Sequence, residues 1–177
     1  MTAPAAPINP WARGEPRRPA LPGGELRMPI ALEDEAATLA LAATIAGLAR
    51  PGDAILIEGG LGAGKTVFAR GFLRALGIEE EVPSPTFTLV QAYEGTKGPI
   101  WHFDLYRLNR PEEVLELGFE EARAEAMLLL EWPDRLGPLR PSDALTVQLR
   151  IDCPTSRIAE LSGGGDWPQR LARAGLA

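Results

Sequence analysis

Apolar residues along this chain follow two rhythms. Ala54-Ile55-Leu56-Ile57 is a short continuous run, partly β-branched, which predicts a buried strand, and Phe68, Phe72 and Leu76 then recur at helical spacing. Ala126-Met127-Leu128-Leu129-Leu130 is a second continuous run, suited to a central parallel strand, and it ends in Glu131. Leu145, Val147, Leu149 and Ile151 alternate with polar residues as a half-buried strand, with residues 157–161 its expected hairpin partner. Residues 87–93 and 100–105 flank Glu94-Gly95-Thr96-Lys97-Gly98-Pro99, which has the composition of a hairpin turn. In the second of these strands Trp101, Phe103 and Leu105 fall on one face, and His102 and Asp104 on the other.

Helices fill the intervals. One begins at Glu33 or Asp34 and runs to about Leu48, stopped by Pro51-Gly52; another ends near Gly77. Residues 111–125 read as helix and turn, and residues 166–174 as a short closing helix. Residues 26–32 are a candidate first strand.

Between the run at 54–57 and its helix stands Gly59-Gly60-Leu61-Gly62-Ala63-Gly64-Lys65-Thr66, which fits the phosphate-binding pattern G-x-x-x-x-G-K-[ST] in the required order of strand, loop and helix. Glycines let the backbone curl so that several N–H groups and the positive end of the helix point at one phosphate. Lys65 adds a compact charge, and Thr66 a hard oxygen suited to magnesium. Of the 18 basic residues only Lys65 and Lys97 are lysines. A chain that otherwise uses Arg places the slim ammonium where a broad guanidinium fork would not fit. The expected fold is therefore α/β, a P-loop NTPase-like three-layer arrangement with a mixed central β-sheet.

Other candidates carry open alternatives. Val82-Pro83-Ser84-Pro85-Thr86-Phe87-Thr88 is a stiff loop that either fixes Ser84 and Thr86 to sense a terminal phosphate or simply starts a strand. Asp104 either positions a water or magnesium, or is a surface carboxylate paired with Arg107. Glu131, at the carboxyl end of a buried strand, sits where ligands bind in open α/β sheets. His102 alone reads as structural, Lys97 as a solvated turn residue, and Cys153 as a small packing residue near a strand end. The corner before the first helix is placed to help seat a nucleotide base, without a named contact. Six Glu and one Arg in residues 111–125 make an acidic face, either solvated or a partner surface.

Composition narrows the setting. At 177 residues the chain reads as one domain over 25–177, preceded by a Pro-rich extension over 1–24 that holds six of the 17 prolines. Arg13, Arg17 and Arg18 make that extension locally basic; it reads as a disordered, solvated tail, with an RNA-touching arm as the alternative. No apolar run is long enough to span a bilayer and no secretory signal block is present, so a cytoplasmic location is expected. The net charge of -6 argues against broad electrostatic binding to nucleic acid.

Gly59 to Thr66, then Ser84-Pro85-Thr86-Phe87-Thr88-Leu89-Val90, His102-Phe103-Asp104-Leu105-Tyr106-Arg107-Leu108 and Glu131-Trp132-Pro133 resemble, in order and spacing, the bacterial TsaE proteins over residues 25–162. The resemblance implies an ATPase, binding ATP or ADP with Mg2+, needed for threonylcarbamoylation of the tRNA adenosine next to the anticodon. It also implies TsaD and TsaB subunits as partners, with tRNA met indirectly through that complex. By matching motif positions, Thr66 and Glu131 would hold magnesium, Lys65 the phosphates, Asp104 would serve hydrolysis and Thr86 would sense the γ-phosphate. The family often has Asp after the first loop glycine, where this chain has Gly60, a change that removes no phosphate ligand. Rival readings are a small-molecule kinase, which lacks an Arg-rich lid here, a GTPase, which lacks the Asn-Lys-x-Asp pattern, and a nucleotide-switched binding module.

Overall fold

The structure, a computed structural model, describes residues 29–176. The extension over 1–24 and the part of the first expected strand at 26–28 lie outside the described residues. β1 (Ile30–Leu32) is followed by α1 (Glu35–Leu48), whose cap is Asp34: its carboxylate accepts the Ala37 N–H at 2.8 Å. β2 (Ala54–Glu58) is buried at all five positions, as its unbroken apolar run requires, and leads through the glycine loop into α2 (Lys65–Ala75).

β3 (Val90–Gly95) and β4 (Gly98–Asp104) form the expected hairpin, and the chain then crosses the opposite face as a 3-10 segment, Pro111–Leu117, and α3 (Phe119–Glu125). The helix and turn expected over 111–125 are thus two short helical segments that meet at Gly118, whose φ of 79° lies in the left-handed region. β5 (Met127–Glu131), a second 3-10 segment at Pro133–Leu139, the hairpin of β6 (Leu145–Ile151) and β7 (Arg157–Gly163), and α4 (Trp167–Arg173) complete the chain.

The seven strands stand in the order β1-β7-β6-β2-β5-β4-β3. β6, β2, β5 and β4 are mutually parallel, while β3, β7 and β1 pair antiparallel at the two flanks, so the sheet is mixed as expected. Side-chain alternation divides the buried apolar strand residues between two cores. Ile55, Ile57, Met127 and Leu129 pack with Phe68 and Phe72 of α2 and Ile45 of α1. Leu56, Leu128, Leu130 and Phe103 pack with Val114, Phe119 and Leu136 on the other face. α1 lies so close to α2 that a Cβ at Gly71 would stand 2.9 Å from the Cβ of Ala42. Two layers of helix therefore enclose the sheet, which fixes β2, β5 and β4 side by side with their carboxyl ends at one edge.

Lys97 is an exposed turn residue, as expected, and its ammonium also donates to the carbonyls of Ala46, Gly47 and Ala49 at 2.6–3.2 Å, so that it satisfies the open end of α1. Cys153 is not packed but exposed, on the β6–β7 turn. Hydrogen bonds from Ser156 and Thr155 pull its thiol down to about 7.

Candidate active site

Each of three neighbouring parallel strands delivers part of the site from its carboxyl end. β2 runs into the glycine loop, where Gly59, Gly62 and Gly64 hold φ of 152°, 76° and 98°. Gly59 is also closed in, since a Cβ there would lie 2.6 Å from the Leu149 carbonyl oxygen. At Gly60, Gly62 and Gly64 the same construction meets open space. No side chain caps α2, so its first N–H groups are left for an anion at the positive end of the helix.

Lys65 is buried within this loop. Its ammonium donates to the carbonyls of Gly59 and Gly60, at 2.8 Å each, and lies 3.9 Å from the centroid of the Trp132 ring. Burial holds its pKa below the ordinary lysine value, against the opposing pull of the Glu131 and Asp104 carboxylates. All three charges therefore share one site.

β5 delivers Glu131, which is 2% exposed. The Thr66 hydroxyl lies 3.3 and 3.4 Å from its two carboxylate oxygens, and His102 Nε2 lies 2.9 Å from Oε1. A hydroxyl and a carboxylate form a hard-oxygen pair that fits magnesium, and magnesium is commonly held by one or two carboxylates plus substrate phosphates. Among the described residues no group of three or more His, Cys, Asp or Glu forms a protein-only metal cage. The pair Thr66–Glu131 thus fits a cation that arrives with a phosphate ligand.

β4 delivers Asp104, which is paired in register with Glu131. Thr86 donates to Asp104 Oδ2 at 2.8 Å and Ser84 approaches the same oxygen at 3.4 Å, while Oδ1 accepts the Tyr106 N–H at 3.1 Å. The alternative of a surface Asp paired with Arg107 is overturned, because Asp104 is buried and the Arg107 guanidinium lies 4.7 Å from the centroid of the Phe87 ring. Residues 84–88 are a tight turn closed by Leu89 N–H on the Pro85 carbonyl, and Leu89 in turn accepts the Asp104 N–H. Their hydroxyls face the carboxylate, so the loop is more than the start of a strand.

The chain also forms a cleft of about 320 Å³ lined by Asp34, Glu35, Thr38, Gly64, Val67, the turn residues Pro154 and Thr155, and Arg157 at the start of β7. Arg157 reaches from β7 to the Gly62 carbonyl at 3.1 Å and so ties the cleft to the glycine loop.

The family model described as "Threonylcarbamoyl adenosine biosynthesis protein TsaE" matches residues 32–158. The chain belongs to the TsaE family. A "tRNA threonylcarbamoyladenosine biosynthesis protein TsaE" of Rickettsia conorii is 41% identical over 131 residues, 73% of this chain and 75% of the relative. That of Bacillus subtilis is 38% identical over 114 residues, 64% of this chain and 71% of the relative. The crystal structure of Bacillus subtilis YdiB matches with a TM-score of 0.70 at 28% identity, covering 85% of this chain and 95% of that one.

In this TsaE family member the fold brings together Lys65, Thr66, Thr86, Asp104 and Glu131, all singled out in the sequence. Two further residues were not. His102 had a signal, since period-2 alternation already put it on the face of Asp104, but its contact depends on the register of β4 with β5. Arg157 had none, being 95 residues from the carbonyl it meets.

Proposed function

We propose that this chain binds and hydrolyses ATP with Mg2+ and that this activity serves threonylcarbamoyl modification of the tRNA adenosine next to the anticodon, in the cytoplasm, together with TsaD and TsaB subunits. The observation that carries the reading is the meeting of Thr66 with Glu131 at 3.3 Å beside the glycine loop. It joins an anion seat to a hard-oxygen cation seat, the pair of features a nucleoside triphosphate with magnesium needs. The relatives named above are tRNA threonylcarbamoyladenosine biosynthesis proteins, which supports the pathway.

Roles follow from position. Residues 59–66 bind the phosphates through backbone N–H groups, and Lys65 exchanges its two carbonyl acceptors for phosphate oxygens. Thr66 and Glu131 hold Mg2+, which supplies charge neutralisation when bound. Asp104 orients or deprotonates the attacking water, and Thr86, now on Asp104, is the γ-phosphate sensor. The base takes the 320 Å³ cleft, which opens at Gly64 and Val67 beside the loop. Hydrolysis is slow in the free chain, because no arginine among the described residues hydrogen-bonds or ion-pairs with Ser84, Thr86, Asp104 or Glu131.

Calorimetric titration with ATP and GTP in Mg2+, followed by turnover assays with and without TsaD and TsaB, tests this. ATP selectivity and partner-stimulated turnover are expected; equal affinity for the two nucleotides would overturn the base assignment, and no turnover in either condition would leave a nucleotide-switched binding module.

A further inference from the structure

His102 is an unusual residue to find at 0% exposure in the middle of a strand. It is the chain's only histidine, and it stands on β4 two residues before Asp104, on the same face of the sheet. Its Nε2 lies 2.9 Å from Glu131 Oε1, while its Nδ1 is buried with no hydrogen-bond partner among the described residues. Leaving a buried polar atom unpaired is costly, so an apolar residue would serve packing better. Among the described residues, the one polar contact of the ring is with the carboxylate that also meets Thr66.

We propose that His102 is a positioning residue for the divalent cation site: it holds Oε1 of Glu131 and so keeps the carboxylate, both oxygens of which lie 3.3–3.4 Å from the Thr66 hydroxyl, in place beside it. The inference rests on the ATP and Mg2+ reading above. Its physical basis is the gain from pre-orientation. A glutamate has three rotatable side-chain bonds, and binding a cation through it costs less when one oxygen is already held. β4 and β5 are in register from Ile100↔Met127 to Asp104↔Glu131, so the imidazole is delivered by rigid backbone on both sides. Because Lys65 and the loop N–H groups meet the phosphates independently of His102, the clamp acts on the metal and leaves metal-free nucleotide binding alone.

The test uses the full chain, a fluorescent ATP analogue and two substitutions. His102→Leu removes the clamp, whereas His102→Gln places an amide N–H close to where Nε2 stands. Nucleotide affinity is measured first in EDTA and then across a Mg2+ titration, with thermal melting recorded for each protein. The expected result is a Mg2+ midpoint raised about 10- to 100-fold in His102→Leu. Gln should restore most of it, and EDTA affinity should be unchanged in both. A Mg2+ midpoint unaltered in both variants overturns the inference while leaving the ATP reading intact. Equal loss of affinity with and without Mg2+, in Gln as in Leu, also overturns it, by showing a packing role. Wild-type chain that binds no nucleotide overturns the ATP reading and the clamp together.

Discussion

Asp104 and Glu131 are register-matched neighbours on two parallel strands, yet they take separate partners. Glu131 meets Thr66 and His102; Asp104 meets Thr86 and Ser84. Two buried carboxylates so close would repel unless cations or donors separated their roles, and the fold provides a different donor set for each. Lys65, whose pKa both carboxylates act to raise, completes the balance.

From that division the first prediction follows. Glu131→Gln should shift the Mg2+ requirement of nucleotide binding upward by about 10-fold or more. Asp104→Asn should leave it in place and lower the turnover number about 10²- to 10⁴-fold. Parallel Mg2+ titrations of binding and of phosphate release check this. If Asn at 104 moves the metal midpoint and Gln at 131 does not, the two assignments are reversed.

Lys65 gives a prediction about stability. Its pKa is lowered in the folded chain, chiefly by burial, so between that value and the ordinary one of about 10.4 the unfolded chain binds more protons. Stability from this group therefore rises with pH through that window, and its penalty is fully present below the folded-state value. Lys65→Met should be more stable than wild type at pH 7, with the difference shrinking as pH approaches 10, although it binds triphosphate far more weakly. Tyr93, whose pKa is raised, acts with the opposite sign but is common to both proteins. Urea unfolding at the two pH values measures this; a difference independent of pH would refute it.

Cys153 supplies a chemical readout of the β6–β7 turn. With its thiol pulled to about 7 by the Ser156 and Thr155 hydroxyls, thiolate is the main form above neutrality. Alkylation by iodoacetamide should follow a midpoint near 7, and Ser156→Ala should move that midpoint upward. A wild-type midpoint at the value of free cysteine, about 8.5, would count against the hydrogen bonds that lower it.

The glycine loop, Glu131 at the end of an apolar run and the strands at 54–57 and 127–131 were legible because their signals are local. Period and motif lie within a few residues, and β2 and β5 are fully buried as such runs demand. Asp104 was legible as a candidate but not as a buried one, since its environment depends on Thr86, 18 residues away. Lys97 was legible as an exposed turn residue, but its capping of α1 was not, because its acceptors lie about 50 residues back. Cys153 was misread because a strand-end position says nothing of which side the turn presents. Register and long-range capping are set by the assembled sheet, and no single stretch of sequence encodes them.

The Ser84–Thr88 loop leads to the last prediction. Thr86 donates to Asp104 at 2.8 Å, so as a γ-phosphate sensor it must exchange that acceptor for a phosphate oxygen, and Phe87 beside it is 82% exposed. The exchange would move an exposed aromatic ring at the mouth of the site and give partner subunits two different surfaces before and after hydrolysis. A partner that prefers the ATP form must then tighten ATP binding by the same factor, on the order of 5- to 150-fold for typical coupling. Thr86→Val, which keeps the shape but cannot donate, should reduce both effects together while leaving ADP affinity near wild type. Partner affinity measured with an ATP analogue, with ADP and without nucleotide decides the matter: equal values in all three states would rule out the switch even where hydrolysis is observed.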